Sequence, residues 1–253
     1  MERLTARGPL LVHFLDFAQL NSVRALPYAI AWADRYRDAG LAVVGVHSPR
    51  FAFTADVRVT ESGLARLGVA HPVAADLDYA IWHDYGCEGW PSLFLWRRGG
   101  ALRWFHFGEG EYEATERAIQ EELRATNGAD SLPEPMTPLR ASDAPGTLVI
   151  APTEELLPGG SLGEAWSPSA SSPVLEVDYA AGGAYATVDG KGELGVAIDG
   201  EERSIALETS GLYELAEHPH HSEHHLRVEP GPGVRVWSVS FAPGVPDGAA
   251  PQT

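Results

Sequence analysis

The sequence predicts an α/β domain followed by an all-β, jelly-roll-like sandwich, and three observations carry that prediction. Strand-like and helix-like runs alternate through the first half. Residues 128–147 are rich in proline and scattered polar residues. Beyond them no convincing helical pattern appears, only short alternating runs broken by glycine-containing turns. With 253 residues the chain can bury two cores of ordinary size.

Each element follows from its pattern. Leu10 to Phe17 is an apolar β run, and Leu20 to Ala39 places Leu26, Ile30, Ala33 and Tyr36 at helical spacing before Gly40 closes it. Leu41 to His47 is nearly all apolar, as expected of a strand buried on both faces. A short helix over Val57 to Leu67, an extended stretch at Pro72 to Ala75 and a helical turn at Tyr79 to Tyr85 come next. Strands Ser92 to Arg97 and Ala101 to Phe107 flank the hairpin turn Arg98-Gly99-Gly100. The helix Tyr112 to Ala125 ends this half, with Ala114, Ala118, Ile119 and Leu123 on one stripe. Pro133, Pro135, Pro138 and Pro145 mark residues 128–147 as a linker. The runs Val174–Tyr179, Tyr185–Val188, Leu194–Ile198, Ser204–Leu207, His225–Val228 and Val234–Phe241 then read as strands. They are divided at Gly182-Gly183, Asp189-Gly190, Asp199-Gly200 and Pro230-Gly231. The expected organisation is 1–127, a linker at 128–147, a sandwich at 148–245 and a disordered tail at 246–253.

Charge separates the halves. Residues 1–127 hold 13 basic and 16 acidic side chains, a net −3, and the remainder holds 5 and 19, a net −14. An acidic second half repels phosphate backbones and anionic lipid, which argues against nucleic acid and membrane surfaces as partners. No apolar run reaches the roughly 18 residues of a membrane span, and the N-terminus lacks the pattern of a secretory signal, so a cytoplasmic location is expected. A single cysteine, Cys87, excludes an intramolecular disulfide and any multi-cysteine zinc site. No cofactor is called for.

Several segments resemble a known family. They are Leu11-Val12-His13-Phe14, Leu26-Pro27-Tyr28, Val44-Gly45-Val46-His47-Ser48-Pro49, Asp78-Tyr79-Ala80-Ile81-Trp82, Trp90-Pro91-Ser92 and His106-Phe107-Gly108-Glu109-Gly110-Glu111-Tyr112. They resemble the thioredoxin-like domain of the TlpA/DipZ-like group in the redoxin superfamily, and the order βαβαβαββα is the thioredoxin arrangement. The later segments Leu212-Tyr213-Glu214-Leu215, Ser222-Glu223-His224-His225-Leu226 and Trp237-Ser238-Val239-Ser240-Phe241 resemble the carbohydrate-binding-module-like sandwich that follows it in the DipZ type. The resemblance implies a cis peptide bond at Trp90-Pro91, in a loop offered to an extended peptide or thiol substrate. It also sets the family's Cys-x-x-Cys at Gln19-Leu20-Asn21-Ser22. Dithiol exchange needs an attacking thiolate and a resolving thiol, and neither Gln19 nor Ser22 supplies one. Thiol–disulfide activity is therefore not carried over.

Four groups of residues remain as candidates. Cys87, four residues before Pro91, is either a lone reactive thiol serving a thiol-dependent oxidoreductase or a buried small apolar residue. His47, at the carboxyl end of a parallel strand, lines a small polar cleft with Asp16, Gln19, Asn21 and Ser22. Ser22, His47 and Asp16 match the residue types of a nucleophile, base and orienting acid, but no Gly-x-Ser-x-Gly elbow frames them, so loop-holding hydrogen bonds are the expectation. The run from His218 to His225 reads as a solvated loop, with His220, His221 and His224 as the minor metal-site candidates. Tyr185, Tyr213 and Trp237 are the aromatics to test for stacking on sugar rings, against core packing. The leading expectation is a scaffold or binding protein for a protein or carbohydrate ligand.

Overall fold

The structure, a computed structural model, describes residues 3–128 and 131–248. The described residues form two compact units. One comprises residues up to Pro49 and Leu67–Pro145; the other comprises Arg50–Arg66 and the chain from Gly146 onward. The last residues of the expected tail, 249–253, lie outside the described residues.

The first unit is built on a five-stranded sheet of β1 (Leu10–Leu15), β2 (Ala42–His47), β3 (Val73–Ala75), β4 (Ser92–Trp96) and β5 (Leu102–Phe107), in the order β3-β2-β1-β4-β5. β1 pairs in parallel with β2, β2 in parallel with β3, and β4 runs antiparallel to both β1 and β5. Successive side chains of a strand point to opposite faces, so β1 feeds two cores. Leu11 packs with Tyr28 and Trp32 of α1 (Leu20–Arg35), with its C-cap Tyr36, and with Ile119 and Leu123 of α4 (Tyr112–Asn127). Leu10, Val12 and Phe14 pack instead with Trp82 of α3 (Ala80–Tyr85), Cys87 and Phe94.

The proline-rich segment is held against the first unit. Leu132 and Met136 pack on the Tyr28–Ile119 core, the Tyr28 hydroxyl accepts from Leu139 N–H at 2.7 Å and donates to Asp143 at 2.7 Å, and Gln120 donates to Pro133 O at 2.8 Å. Composition alone predicts a plain linker, because it does not show the hydrogen-bond donors and acceptors that α1 and α4 offer this segment.

The second unit is an antiparallel sheet of β6 (Leu175–Asp189), β7 (Gly192–Ile198), β8 (Glu201–Leu207), β9 (Gly211–Pro230) and β10 (Arg235–Ala242), in the order β10-β6-β9-β7-β8. Ile150, Leu156 and Trp166 add isolated bridges to it. Two expectations change here. Gly182-Gly183 does not divide two strands but lies inside β6, where the register against β9 shifts. A Cβ on Gly182 would stand 2.6 Å from Pro243 O and one on Gly183 2.9 Å from Ala216 O, so these glycines serve close backbone approach and a bulge. The histidine run is likewise no loop: it continues β9 through Ser222, His224 and His225. α2 (Val57–Arg66) and the 3-10 turn Ala52–Ala55 belong to this unit: Phe51 and Phe53 pack on Trp237, and Arg50 grips Glu155 through two bonds of 2.8 and 2.6 Å. Among the described residues no helix is long and apolar enough to cross a membrane.

Candidate functional site

The start of α1 is a closed hydrogen-bonded turn. Gln19 is the N-cap, and its side-chain oxygen accepts from Ser22 N–H at 2.8 Å, satisfying one of the donors that every helix start leaves open. Ser22, 1% exposed, accepts the Asp16 N–H on its hydroxyl at 3.1 Å, and the Asp16 carboxylate accepts the Ala18 N–H at 2.8 Å. These bonds hold the loop.

His47 does not line an open cleft. It is fully buried at the end of β2 with its ring 5.6 Å from that of Phe17. The expectation placed it correctly at the carboxyl end of a parallel strand, but Phe17 and the adjoining loop cover it. Beside it the Trp90-Pro91 peptide is cis. Half-buried Trp90 donates from its indole to Ser48 O at 3.0 Å and packs 4.5 Å from Trp82.

Cys87 is 9% exposed and belongs to the core under Phe14 and Phe94. Burial pushes its thiol up to about 12, against the pull of a hydrogen bond to Ser92, and the Asp76 carboxylate adds to the rise. Removing a thiolate from water costs more than one hydrogen bond returns.

The sugar-stacking candidates are engaged elsewhere. Trp237 is 4% exposed beneath Phe51 and Phe53, in the core-packing alternative to sugar stacking, and these partners come from residues 50–66, far away in sequence. The ring of Tyr213 is covered by the Arg66 guanidinium at 4.5 Å, and its hydroxyl donates to Thr209 O at 2.5 Å. Tyr185 is partly buried within β6. The metal candidates do not converge, and among the described residues no three His, Cys, Asp or Glu side chains are grouped to hold an ion. His220 lies 3.9 Å from Asp247, whereas both ring nitrogens of His224 are already hydrogen-bonded.

What the sequence did not reveal is a polar constellation on β6, β9 and the turn after β7. His224 Nδ1 lies 2.6 Å from Asp199 Oδ2 and its Nε2 lies 2.8 Å from Ser222 Oγ. The ring of His218 stacks on that of His224 at 3.6 Å and receives the Tyr179 hydroxyl at 2.8 Å. An open cleft of about 530 Å³ is lined by Asp178, Tyr179, Asp199, Glu223, His224 and His225, among others. The signal available in the sequence was Ser222 and His224 at a two-residue spacing, which shares a strand face.

The chain is 28% identical to protein DipZ of Mycobacterium bovis and of Mycobacterium tuberculosis, over 91% of its own length and 38% of theirs. It thus spans well under half of those relatives. It is also 27% identical to the thiol-disulfide oxidoreductase YkuV of Bacillus subtilis, over 49% of this chain and 84% of that protein. The first unit has the thioredoxin-like redoxin fold. The thioredoxin-like unit also overlays a thiol-disulfide isomerase from Corynebacterium glutamicum at 22% identity and a TM-score of 0.44, covering 49% of this chain and 86% of that one. No family model matches the chain. The β-sheet unit falls within the DipZ-similar region, since the similarity covers almost the whole chain.

Proposed function

We propose that the thioredoxin-like unit binds an extended peptide or protein segment and does not exchange disulfides. The observation that carries this reading is the state of Cys87, the one thiol in the chain. With burial pushing its thiol up to about 12, Cys87 stays protonated at neutral pH, and only the thiolate attacks a disulfide. Gln19 and Ser22, at the positions that the resemblance assigns to the dithiol, are committed to holding the helix start. The binding surface on this reading is the cis Trp90-Pro91 loop, which the resemblance sets near the start of the helix that would carry the dithiol.

For the β-sheet unit the reading is a ligand-binding module, with a carbohydrate as the class suggested by the DipZ resemblance. With Trp237 buried and Tyr213 covered by Arg66, this reading takes the polar cleft at Asp178 and Asp199 as the surface to test. The competing reading, a single-cysteine oxidoreductase using Cys87 with an external thiol, draws on the similarity to the thiol-disulfide oxidoreductase of Bacillus subtilis.

Insulin reduction with dithiothreitol or glutathione, alongside thiol labelling of folded and denatured protein, separates the two. Binding predicts no turnover and labelling of Cys87 only after denaturation. Fast labelling of the native protein, together with turnover abolished by Cys87→Ser, would establish the oxidoreductase instead. Peptide and glycan arrays probed with the full chain and with Trp90→Ala test the surfaces. Peptide binding untouched by Trp90→Ala sinks the proposed peptide site, and an empty glycan array with the sheet intact removes the carbohydrate.

A further inference from the structure

We propose that Ser222, His224 and Asp199 form a nucleophile, base and orienting acid that hydrolyse small esters, with Asp199 and His224 on the wall of the β-sheet unit's cleft and Ser222 hydrogen-bonded to His224 beside it. The elements place these groups without special pleading. Ser222 and His224 stand two residues apart on β9, so they share one face of the strand. Asp199 sits in the Asp199-Gly200 turn between β7 and β8, and its N–H donates to His225 O at 2.9 Å, which ties that turn to β9 beside His224. The turn holds Asp199 at φ +53°, in the left-handed region that non-glycine residues enter at a cost and that aspartate tolerates better than most.

The hydrogen bonds assign the roles. Asp199 Oδ1 accepts the His225 N–H at 2.8 Å, which fixes the carboxylate, and Oδ2 takes His224 Nδ1 at 2.6 Å. With the proton on Nδ1, the Nε2 lone pair faces Ser222 Oγ at 2.8 Å and accepts its proton. The competing acceptor for that hydroxyl, His220 O, is farther away at 3.3 Å. His218, stacked at 3.6 Å and held by Tyr179, keeps the His224 ring in plane.

The chemistry balances with water as the second reactant. Ser222 Oγ bonds to the acyl carbon as its proton passes to His224 Nε2. The carbon–oxygen bond to the alcohol then breaks, and the departing oxygen takes that proton. A water attacks the acyl-serine, gives its proton to Nε2, and Oγ recovers it as the acid leaves. Asp178 and Glu223 on the cleft wall disfavour anionic substrates, so the class is an uncharged or cationic ester.

The test uses the full chain with p-nitrophenyl acetate and a fluorophosphonate probe. The proposal expects turnover that falls at least about tenfold in Ser222→Ala and in Asp199→Asn, with the melting temperature unchanged. It also expects His83→Ala, at an exposed histidine of α3 in the first unit, to retain turnover and the probe to map to Ser222 in the wild-type chain. Equal rates for wild type and Ser222→Ala would reveal ordinary imidazole reactivity and overturn it. So would the absence of both turnover and a Ser222 adduct in folded wild type, a result that depends on no variant folding.

Discussion

His13 occupies the middle of β1, is fully buried, and has no protein partner for either ring nitrogen among the described residues. Burial, with a smaller push from His71, lowers its pKa from 6.5 to about 3, while the groups around His71 include Asp34. The imidazole folds neutral. The unfolded chain binds the extra proton between those two values, so stability is complete above pH 6.5 and is lost as pH falls toward about 3. The expected slope reaches about 1.4 kcal/mol per pH unit. Denaturant melts of wild type and His13→Leu across this range check it: the variant should lose that part of the slope, and parallel curves would exclude His13 as its source. Nothing in the Leu11-Val12-His13-Phe14 run distinguishes a partnerless histidine from a bonded one. The run shows burial, but a partner is a property of other elements. Cys87 is the opposite case, because a lone cysteine without a neighbouring base already pointed to a buried, inert thiol.

At the scale of elements, the segment after α4 behaves as part of the first unit. The Tyr28 hydroxyl serves both Leu139 N–H and Asp143, its ring stacks on Tyr112 at 3.8 Å, and Arg24 reaches Glu109 at 2.6 Å and Ser142 at 3.2 Å. Tyr28→Phe removes one hydroxyl and strands a donor and an acceptor, so a loss of about 1–3 kcal/mol is expected. Hydrogen exchange should show weakened protection at Leu139 first; unchanged protection there would mean that the apolar contacts of Leu132 and Met136 suffice. Strands and helices of the first unit were legible because each carries its own period, from the apolar β1 and β2 to the stripe of α4. β6 and β9 were less so. Their glycines and histidines carry the composition of turns, and what keeps them in strands is a close neighbouring backbone at Pro243 and Ala216 and a ladder to the partner strand.

For the molecule as a whole, residues 50–66 belong to the second unit and pack on it through Phe51 and Phe53 at Trp237 and Arg66 at Tyr213. Trp237→Ala should therefore cost about 3–5 kcal/mol and lower exchange protection in residues 50–66 along with β10. A loss confined to β10 would contradict this packing. The sequence by itself determined the thioredoxin-like order of elements, the second all-β unit, the acidic imbalance and the absence of a dithiol, since these depend on local period, composition and residue identity. Only the tertiary structure decided that Trp237 and His47 are covered, that residues 50–66 join the sheet unit, and that Ser222, His224 and Asp199 meet. Those outcomes depend on which distant segments share a surface, and burial and hydrogen bonding are set by neighbours in space that no local pattern encodes.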